Sequence, residues 1–205
     1  MSSRDQILAK LRASRPPFPD AAPRPAHYLP VSAIDPTHAD TAGLLSRFTA
    51  ELTKLTGRVY DMPDAEAAIE CVLKLIGADP SVIAWGDLPL PGLAEALSGA
   101  HISAIHPQPR LADRSTVLRQ IEPIRVGITG AEAGLATSGT LALVTSPAHG
   151  RIVSLIPPVH IALLRRDRLF ATMEAWIAAA GKAAIAQSSS VIFITGPSRT
   201  SDIEM

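Results

Sequence analysis

The feature that most constrains the fold is the regular alternation, from Asp40 onward, of short apolar runs with segments whose apolar residues recur at helical spacing. Short runs rich in β-branched residues indicate strands, and the longer periodic segments indicate helices. Strands that alternate with helices fold into a largely parallel sheet, with right-handed crossovers that cover both of its faces. The strands are predicted at 58–60, 81–85, 101–105, 125–129, 139–145, 151–156, 160–164 and 191–194. The helices are predicted at 44–56, 64–76, 93–97, 111–120 and 169–180.

The alternation changes after residue 138. Two strand-like runs, 139–145 and 151–156, are separated by Ser-Pro-Ala-His-Gly, a composition typical of a turn. This pattern predicts an antiparallel hairpin with a five-residue loop. Gly181 is expected to end the helix that follows. The fold class predicted is therefore α/β, with a mostly parallel sheet and one antiparallel hairpin.

Residues 1–39 differ from the rest of the chain. Ile7, Leu8 and Leu11 lie on one face of a short predicted helix, and seven prolines follow between residues 14 and 36. Because proline removes a backbone donor and disfavours helix, this stretch is expected to form an extended arm. We therefore predict two parts, an N-terminal helix with its arm at 1–39 and an α/β domain at 40–205. The helix either packs loosely on that domain or docks on a partner or a second subunit.

Composition excludes several classes of function. Lysine plus arginine and aspartate plus glutamate both number 19, so net charge gives no reason to expect nucleic acid as a partner. The single cysteine, Cys71, cannot form an internal disulfide or hold an iron–sulfur cluster. No apolar run is long enough to cross a membrane and no leader is recognisable, so a cytoplasmic location is expected. Histidine spacing predicts no metal site, and nucleotide-binding fingerprints are absent, so no cofactor is predicted.

Three turns combine glycine with hydroxyl residues near the ends of predicted strands. Ligands of open α/β sheets bind outside the carboxyl ends of parallel strands, where glycine lets backbone amides approach an anion. Arg199 adds a guanidinium whose shape matches carboxylate or phosphate. The pattern predicts a small-anion site, for a carboxylate, a phosphate or a CoA-like group. Its predicted residues are Thr129 and Gly130 in the first turn, Ser138, Gly139 and Thr140 in the second, and Gly196, Ser198, Arg199 and Thr200 in the third.

No acid–base pair is evident beside these turns. Glu132 is the nearest carboxylate with a candidate catalytic role, although structural duty at the front of a short helical turn is the favoured explanation. His160 follows Pro157-Pro158 and enters a predicted strand, where a structural role competes with a role as base or ligand. These two residues are the weak catalytic candidates, and whether the chain is an enzyme stays open.

Four segments resemble one known family. GITGAE at 127–132, ATSGTL at 136–141, SLIPPVHI at 154–161 and ITGPSRTSDIE at 194–204 are similar, in order and spacing, to motifs of the lactate utilization protein C (LutC/YkgG) family, whose members carry the LUD domain. The resemblance implies a three-layer α/β/α sandwich like that of the NagB/RpiA/CoA-transferase group. It also implies a role in L-lactate utilization, in which lactate is oxidised to pyruvate alongside iron–sulfur partner proteins.

Under this resemblance the chain is an accessory or regulatory subunit that binds a small anion or a partner. The alternative is an acyl- or CoA-handling enzyme, or a sugar-phosphate enzyme, of the same structural group. Two departures bear on both hypotheses. The family often has glutamate where this chain has Thr137, and it usually continues past the last motif into a further strand, whereas this chain ends at Met205. A missing strand would expose a sheet edge and favour a homo-oligomer.

Overall fold

The computed structural model describes residues 3–13, 40–107 and 114–196. Residues 1–31 and 32–205 form separate compact units. In the first unit, helix α1 spans Ser3–Ala13 as predicted, and its apolar residues Ile7 and Leu8 are 58% and 36% exposed. The predicted proline-rich arm lies outside the described residues.

The second unit contains the α/β domain. Its helices are α2 (Thr41–Lys54), α3 (Ala65–Ile76), α4 (Leu93–Gly99), α5 (Arg114–Ile121), α6 (Ile152–Leu155), α7 (Met173–Trp176) and α8 (Lys182–Gln187). Its strands are β1 (Ser81–Ala84), β2 (Ser103–Ile105), β3 (Val126–Gly130), β4 (Ala133–Leu135), β5 (Thr140–Val144), β6 (Val159–Leu163), β7 (Leu169–Phe170) and β8 (Val191–Ile194). A 3₁₀ turn, Arg166–Arg168, precedes β7, and a π-helical turn, Ile177–Gly181, joins α7 to α8.

The first sheet is parallel throughout, with the strand order β2-β1-β3-β6. One face buries Val126 and Ile128 against α3 and α4. The other face buries Ile83 against α5, α6 and strand β5 of the second sheet. Burial on both faces explains why the central strand β1 and most of β3 are apolar in the sequence, as central parallel strands usually are.

The second sheet is mixed, with the order β7-β4-β5-β8. Strands β4 and β5 form an antiparallel hairpin, β7 is parallel to β4, and β8 is antiparallel to β5. Trp176 of α7 is completely buried against this sheet, and Phe48 and Leu52 of α2 pack near Leu169. The predicted class, α/β with a mostly parallel sheet and an antiparallel hairpin, is confirmed.

The position predicted for the hairpin is wrong. Residues 152–155 form helix α6 rather than a strand, and the partner of β5 is β4. The reason is packing: a Cβ on Gly127 would lie 2.0 Å from the carbonyl oxygen of Val153, so α6 rests directly on the backbone of β3. A short apolar run such as 151–156 does not by itself distinguish a strand from a buried helix.

Other boundaries also differ from the prediction. Residues 58–60 are not in a strand, and β7 occupies the predicted first turn of the last helix. That helix begins at Met173, where the Thr172 hydroxyl accepts a hydrogen bond from the Ala175 amide. Gly181 does not end it, because the π-helical turn carries the chain on into α8, with the Gly181 backbone against the Trp176 ring. The first three residues of the helix predicted at 111–120 lie outside the described residues.

Within the part of the chain that the structure describes, no helix is both long and apolar enough to cross a membrane. Among the same residues, no three histidine, cysteine or acidic side chains are grouped so that they could hold a metal ion.

Candidate functional site

Two of the three predicted turns meet at one edge of the second sheet. The Ser138 hydroxyl lies 2.7 Å from the Thr140 hydroxyl, which lies 2.8 Å from the hydroxyl of Thr195. The topology explains this contact: β4 and β8 are both antiparallel to β5, so their carboxyl ends meet at the first residue of β5. The three side chains form a continuous hydroxyl cluster, which we call the hydroxyl chain.

The glycines of these turns face the protein interior. Gly139 has φ +62°, and a Cβ there would lie 2.5 Å from the backbone nitrogen of Leu52 in α2. Gly196 has φ +94°, and a Cβ there would lie 2.8 Å from the Cβ of Leu55. Both turns therefore pack on the carboxyl end of α2, where a side chain would not fit. Of the hydroxyl chain, Thr140 is buried and Thr195 is exposed.

The first predicted turn lies in the other sheet. Thr129 is completely buried in β3, and its hydroxyl lies 2.8 Å from Nε2 of His160 on the neighbouring strand β6. Burial lowers the pKa of His160 to about 4, so its imidazole is neutral at pH 7. Thr129 and His160 thus satisfy each other inside the sheet, and the Thr129 hydroxyl does not join the hydroxyl chain. Gly130 packs against Pro89 of the loop that follows β1.

Glu132, the other catalytic candidate, links the two sheets. Its backbone amide donates to the Ala142 carbonyl, and its carboxylate lies 3.3 Å from a guanidinium nitrogen of Arg168. It precedes strand β4, so the expected helical turn at this residue is wrong. Among the described residues the Glu132 carboxylate pairs with Arg168 and forms no hydrogen bond with the hydroxyl chain, which gives no support to the acyl-transfer alternative. Ser198, Arg199 and Thr200 lie outside the described residues.

A further cluster, which the sequence patterns did not predict, lies at the carboxyl ends of the parallel strands. Trp85 follows β1, and its indole Nε1 donates to the carbonyl of Gly150 at 3.1 Å. The indole is stacked on the His149 ring with centroids 4.4 Å apart, and His149 Nε2 lies 2.5 Å from Oδ1 of Asp87. A signal was available, because Trp85 is the last residue of the strand predicted at 81–85 and Asp87 comes two residues after it.

A hollow of about 360 Å³ lies at the opposite edge of the parallel sheet. Residues that precede β1 and β2 line it, among them Asp79 and His101. In a sheet of this kind ligands bind at the carboxyl ends of the strands, so the hollow is at the less favourable edge.

Comparison with known proteins identifies the family. The sequence pattern of the LUD domain matches residues 45–205. The chain belongs to the LUD domain family. This match confirms the resemblance drawn from the four sequence motifs.

Three curated relatives show where this member stands in the family. Over 148 residues the chain is 34% identical to Lactate utilization protein C of Shouchella clausii, covering 68% of this chain and 61% of that protein. It is 31% identical to the uncharacterized protein YkgG of Escherichia coli K12, covering 69% of this chain and 61% of that protein. It is 34% identical to the uncharacterized protein NMB1437 of Neisseria meningitidis serogroup B, covering 40% of this chain and 35% of that protein. The chain thus spans about a third to three fifths of the length of these relatives.

A solved structure supports the fold. The crystal structure of a DUF162 family protein from Deinococcus radiodurans superposes with a TM-score of 0.63 at 20% sequence identity, covering 77% of this chain and 90% of that one. At this identity the likeness concerns the fold alone. The specific likeness of the fold to the NagB/RpiA/CoA-transferase group stays a prediction.

Proposed function

We propose that this LUD-domain chain is a component of L-lactate utilization and acts as an accessory or regulatory subunit. The observation that carries the proposal is the similarity to Lactate utilization protein C over 68% of this chain. Oxidation of lactate to pyruvate releases two electrons. Iron–sulfur clusters, which accept electrons, are held mainly by cysteine thiolates. Because this chain has only Cys71, the clusters would belong to partner proteins.

The same proposal includes a small-anion site at the exposed end of the hydroxyl chain. Thr140 is buried and would hold the Thr195 hydroxyl in place, while Thr195 is exposed and leads through Gly196 to residues 197–200. Hydroxyl groups and a guanidinium are suitable donors for a carboxylate or phosphate. The proposed contacts are Thr195 and Gly196 together with Ser198, Arg199 and Thr200, and Ser138 and Thr140 would hold the Thr195 hydroxyl in position.

Growth and co-purification test the proposed role. Deleting the gene in its native cell should abolish growth on L-lactate and leave growth on pyruvate intact, because only the first substrate requires the oxidation step. Affinity purification of the tagged chain from cells grown on lactate should recover iron–sulfur proteins. Normal growth on lactate, together with no iron–sulfur protein in the eluate, would show that the proposal is wrong.

The anion site is tested with Arg199→Ala. Calorimetry with L-lactate, pyruvate, inorganic phosphate and coenzyme A should find binding to the parent protein, and the variant should bind at least about tenfold more weakly, since a charge-assisted contact is lost. The melting temperature should hardly change. The matched control is Arg125→Ala, an exposed arginine 3.7 Å from Asp79 at the amino edge of the parallel sheet. Equal affinities of parent and Arg199→Ala for every probe would refute the site.

A further inference from the structure

The path of the chain places a topological switch point at the carboxyl end of β1. From β1 the chain passes through α4, which packs on one face of the parallel sheet, to β2 on one side. It then returns through α5, which packs on the opposite face, to β3 on the other side of β1. The loop after β1 therefore leads to one face, while β3 continues through Ala131 toward the other. In open α/β sheets this switch between neighbouring strands is where ligands bind.

Trp85, Asp87 and His149 lie at this switch point. Trp85 is 5% exposed and fixes the 145–150 loop through its bond to the Gly150 carbonyl and its stacking on His149. The Ser146 side chain accepts a hydrogen bond from the His149 amide at 3.1 Å, which orders the backbone of the same loop. The position of the imidazole is therefore set from its own loop and from β1.

Among the described residues, hydrogen bonds occupy one ring nitrogen of His149 and one ring nitrogen of His106. His149 uses Nε2 toward the Asp87 carboxylate, and among the described residues none hydrogen-bonds to its Nδ1. His106 follows β2, the neighbour of β1, and its Nδ1 donates to the Ala84 carbonyl at 3.0 Å, while no residue that the structure describes hydrogen-bonds to its Nε2. The His149 side chain is 25% exposed and therefore partly accessible. An imidazole held in one tautomer can accept or donate a proton at a fixed atom.

We propose that this cluster is a second ligand site, which binds a small 2-hydroxy or 2-oxo acid. Nδ1 of a neutral His149 would accept a hydrogen bond from the C2 hydroxyl of a hydroxy acid, and with hydrogen on both ring nitrogens His149 would donate from Nδ1 to the C2 oxygen of an oxo acid. His106, with hydrogen on both ring nitrogens, would donate from Nε2 to a carboxylate oxygen. Asp87 would balance the charge of His149 when both ring nitrogens carry hydrogen. The position of the site rests on the geometry above, whereas the choice of a hydroxy or oxo acid rests on the proposed role in lactate utilization.

Nuclear magnetic resonance of the histidine rings tests this site, with sodium L-lactate and sodium pyruvate as probes. In the full chain either probe should shift the His149 ring resonances saturably. In His149→Gln the probe is followed through other resonances of the cluster, such as that of Trp85 Nε1. These should shift only at probe concentrations at least about tenfold higher, because the main hydrogen bond to the probe is lost. Asp87→Asn, a nearly isosteric change at a side chain that is 72% exposed, should also weaken binding while the protein stays folded. His101→Asn, at the opposite edge of the sheet, should bind like the parent.

If neither probe moves the His149 resonances at concentrations up to tens of millimolar, the inference is wrong. It is also wrong if His149→Gln and Asp87→Asn lower the melting temperature but bind the probes like the parent, because the cluster then only anchors its loop. These outcomes are separable from the growth test. If the chain is required for growth on lactate but the His149 resonances do not shift, the proposed function stands and this site is wrong. If the resonances shift but growth on lactate is normal, the site stands and the proposed function is wrong.

Discussion

Thr129 and His160 form a hydrogen-bonded pair within the parallel sheet, and this pair makes the stability of the domain depend on pH. The two residues are 31 positions apart and meet because β3 and β6 are neighbours in the parallel sheet. Burial lowers the pKa of His160 to about 4, since the imidazolium would lose its hydration. The neutral ring keeps its hydrogen bond to Thr129 at pH 7, and the cost of protonating it appears as a pH dependence of stability.

This pair predicts that the domain loses stability in mild acid. Between about pH 6.5, where histidine titrates in the unfolded chain, and about pH 4, the unfolded state binds a proton that the folded state does not. The free energy of unfolding therefore has its full value above pH 6.5 and falls as the pH is lowered, by about 2 kcal/mol at pH 5 from this group alone. His160→Gln should lose most of that decrease. Urea unfolding at pH 7.5 and pH 5 measures it.

The control for this experiment is His101→Asn, which changes an exposed histidine at the amino edge of the sheet. It should show the same decrease between pH 7.5 and pH 5 as the parent. An undiminished decrease in His160→Gln would mean that other groups cause the acid sensitivity.

At the scale of elements, the sequence predicted best where local signals and burial agree. Helix α3 begins where Asp64 accepts a hydrogen bond from the Ala67 amide and ends at Gly77, as its pattern indicated. Strands β1, β3, β6 and β8 lie within one or two residues of their predicted positions. Each of these elements is either capped by its own residues or is an apolar run with little alternative to burial.

The wrong predictions concern elements whose form is decided by distant partners. Strand β4 is Ala-Gly-Leu, a composition with little strand preference, and it is held by pairing with β5 and β7. Residues 152–155 have strand-like composition, yet they form a helix because Gly127 leaves room for one on β3. Strand β7 and Gly127 lie outside the local window that a sequence pattern covers, whereas β5 follows β4 after a short turn.

Gly127→Ala tests this account of α6. An ideal Cβ would lie 2.0 Å from the Val153 carbonyl oxygen and 2.9 Å from Cγ of Pro157, so α6 would have to move off the sheet. We expect a loss of about 3 kcal/mol in the free energy of unfolding, measured by urea titration. Gly99→Ala is the matched control, because a Cβ at the end of α4 meets nothing within 4 Å, and its stability should be unchanged or slightly higher. Equal urea midpoints for Gly127→Ala and Gly99→Ala would contradict the close approach of α6 to the backbone of Gly127.

At the scale of the whole molecule, the candidate sites depend on how two sheets share one chain. β3 runs through Ala131 and Glu132 directly into β4, so the carboxyl end of the parallel sheet is continuous with the mixed sheet. The sequence identified glycine and hydroxyl turns but not which of them meet. Two of the turns meet because β4 and β8 run in the same direction. Asp87 meets His149, 62 positions further along the chain, because the loop after β5 returns to the end of β1. Contacts of this range follow from topology and not from spacing.

The division into residues 1–39 and 40–205 stays a prediction, and truncation tests it. The LUD domain begins at residue 45, α2 is capped by Asp40, and α2 supplies Phe48 and Leu52 to a buried cluster with Leu169. A chain of residues 40–205 should therefore unfold cooperatively, with a melting temperature within about 4 °C of the full chain, a shift that corresponds to about 1 kcal/mol or less. A chain of residues 58–205 also loses α2, and removing a buried phenylalanine alone costs about 3–5 kcal/mol, so it should not fold stably. If the 40–205 chain behaves like the 58–205 chain in calorimetry, residues before Asp40 belong to the folded domain and the predicted boundary is wrong.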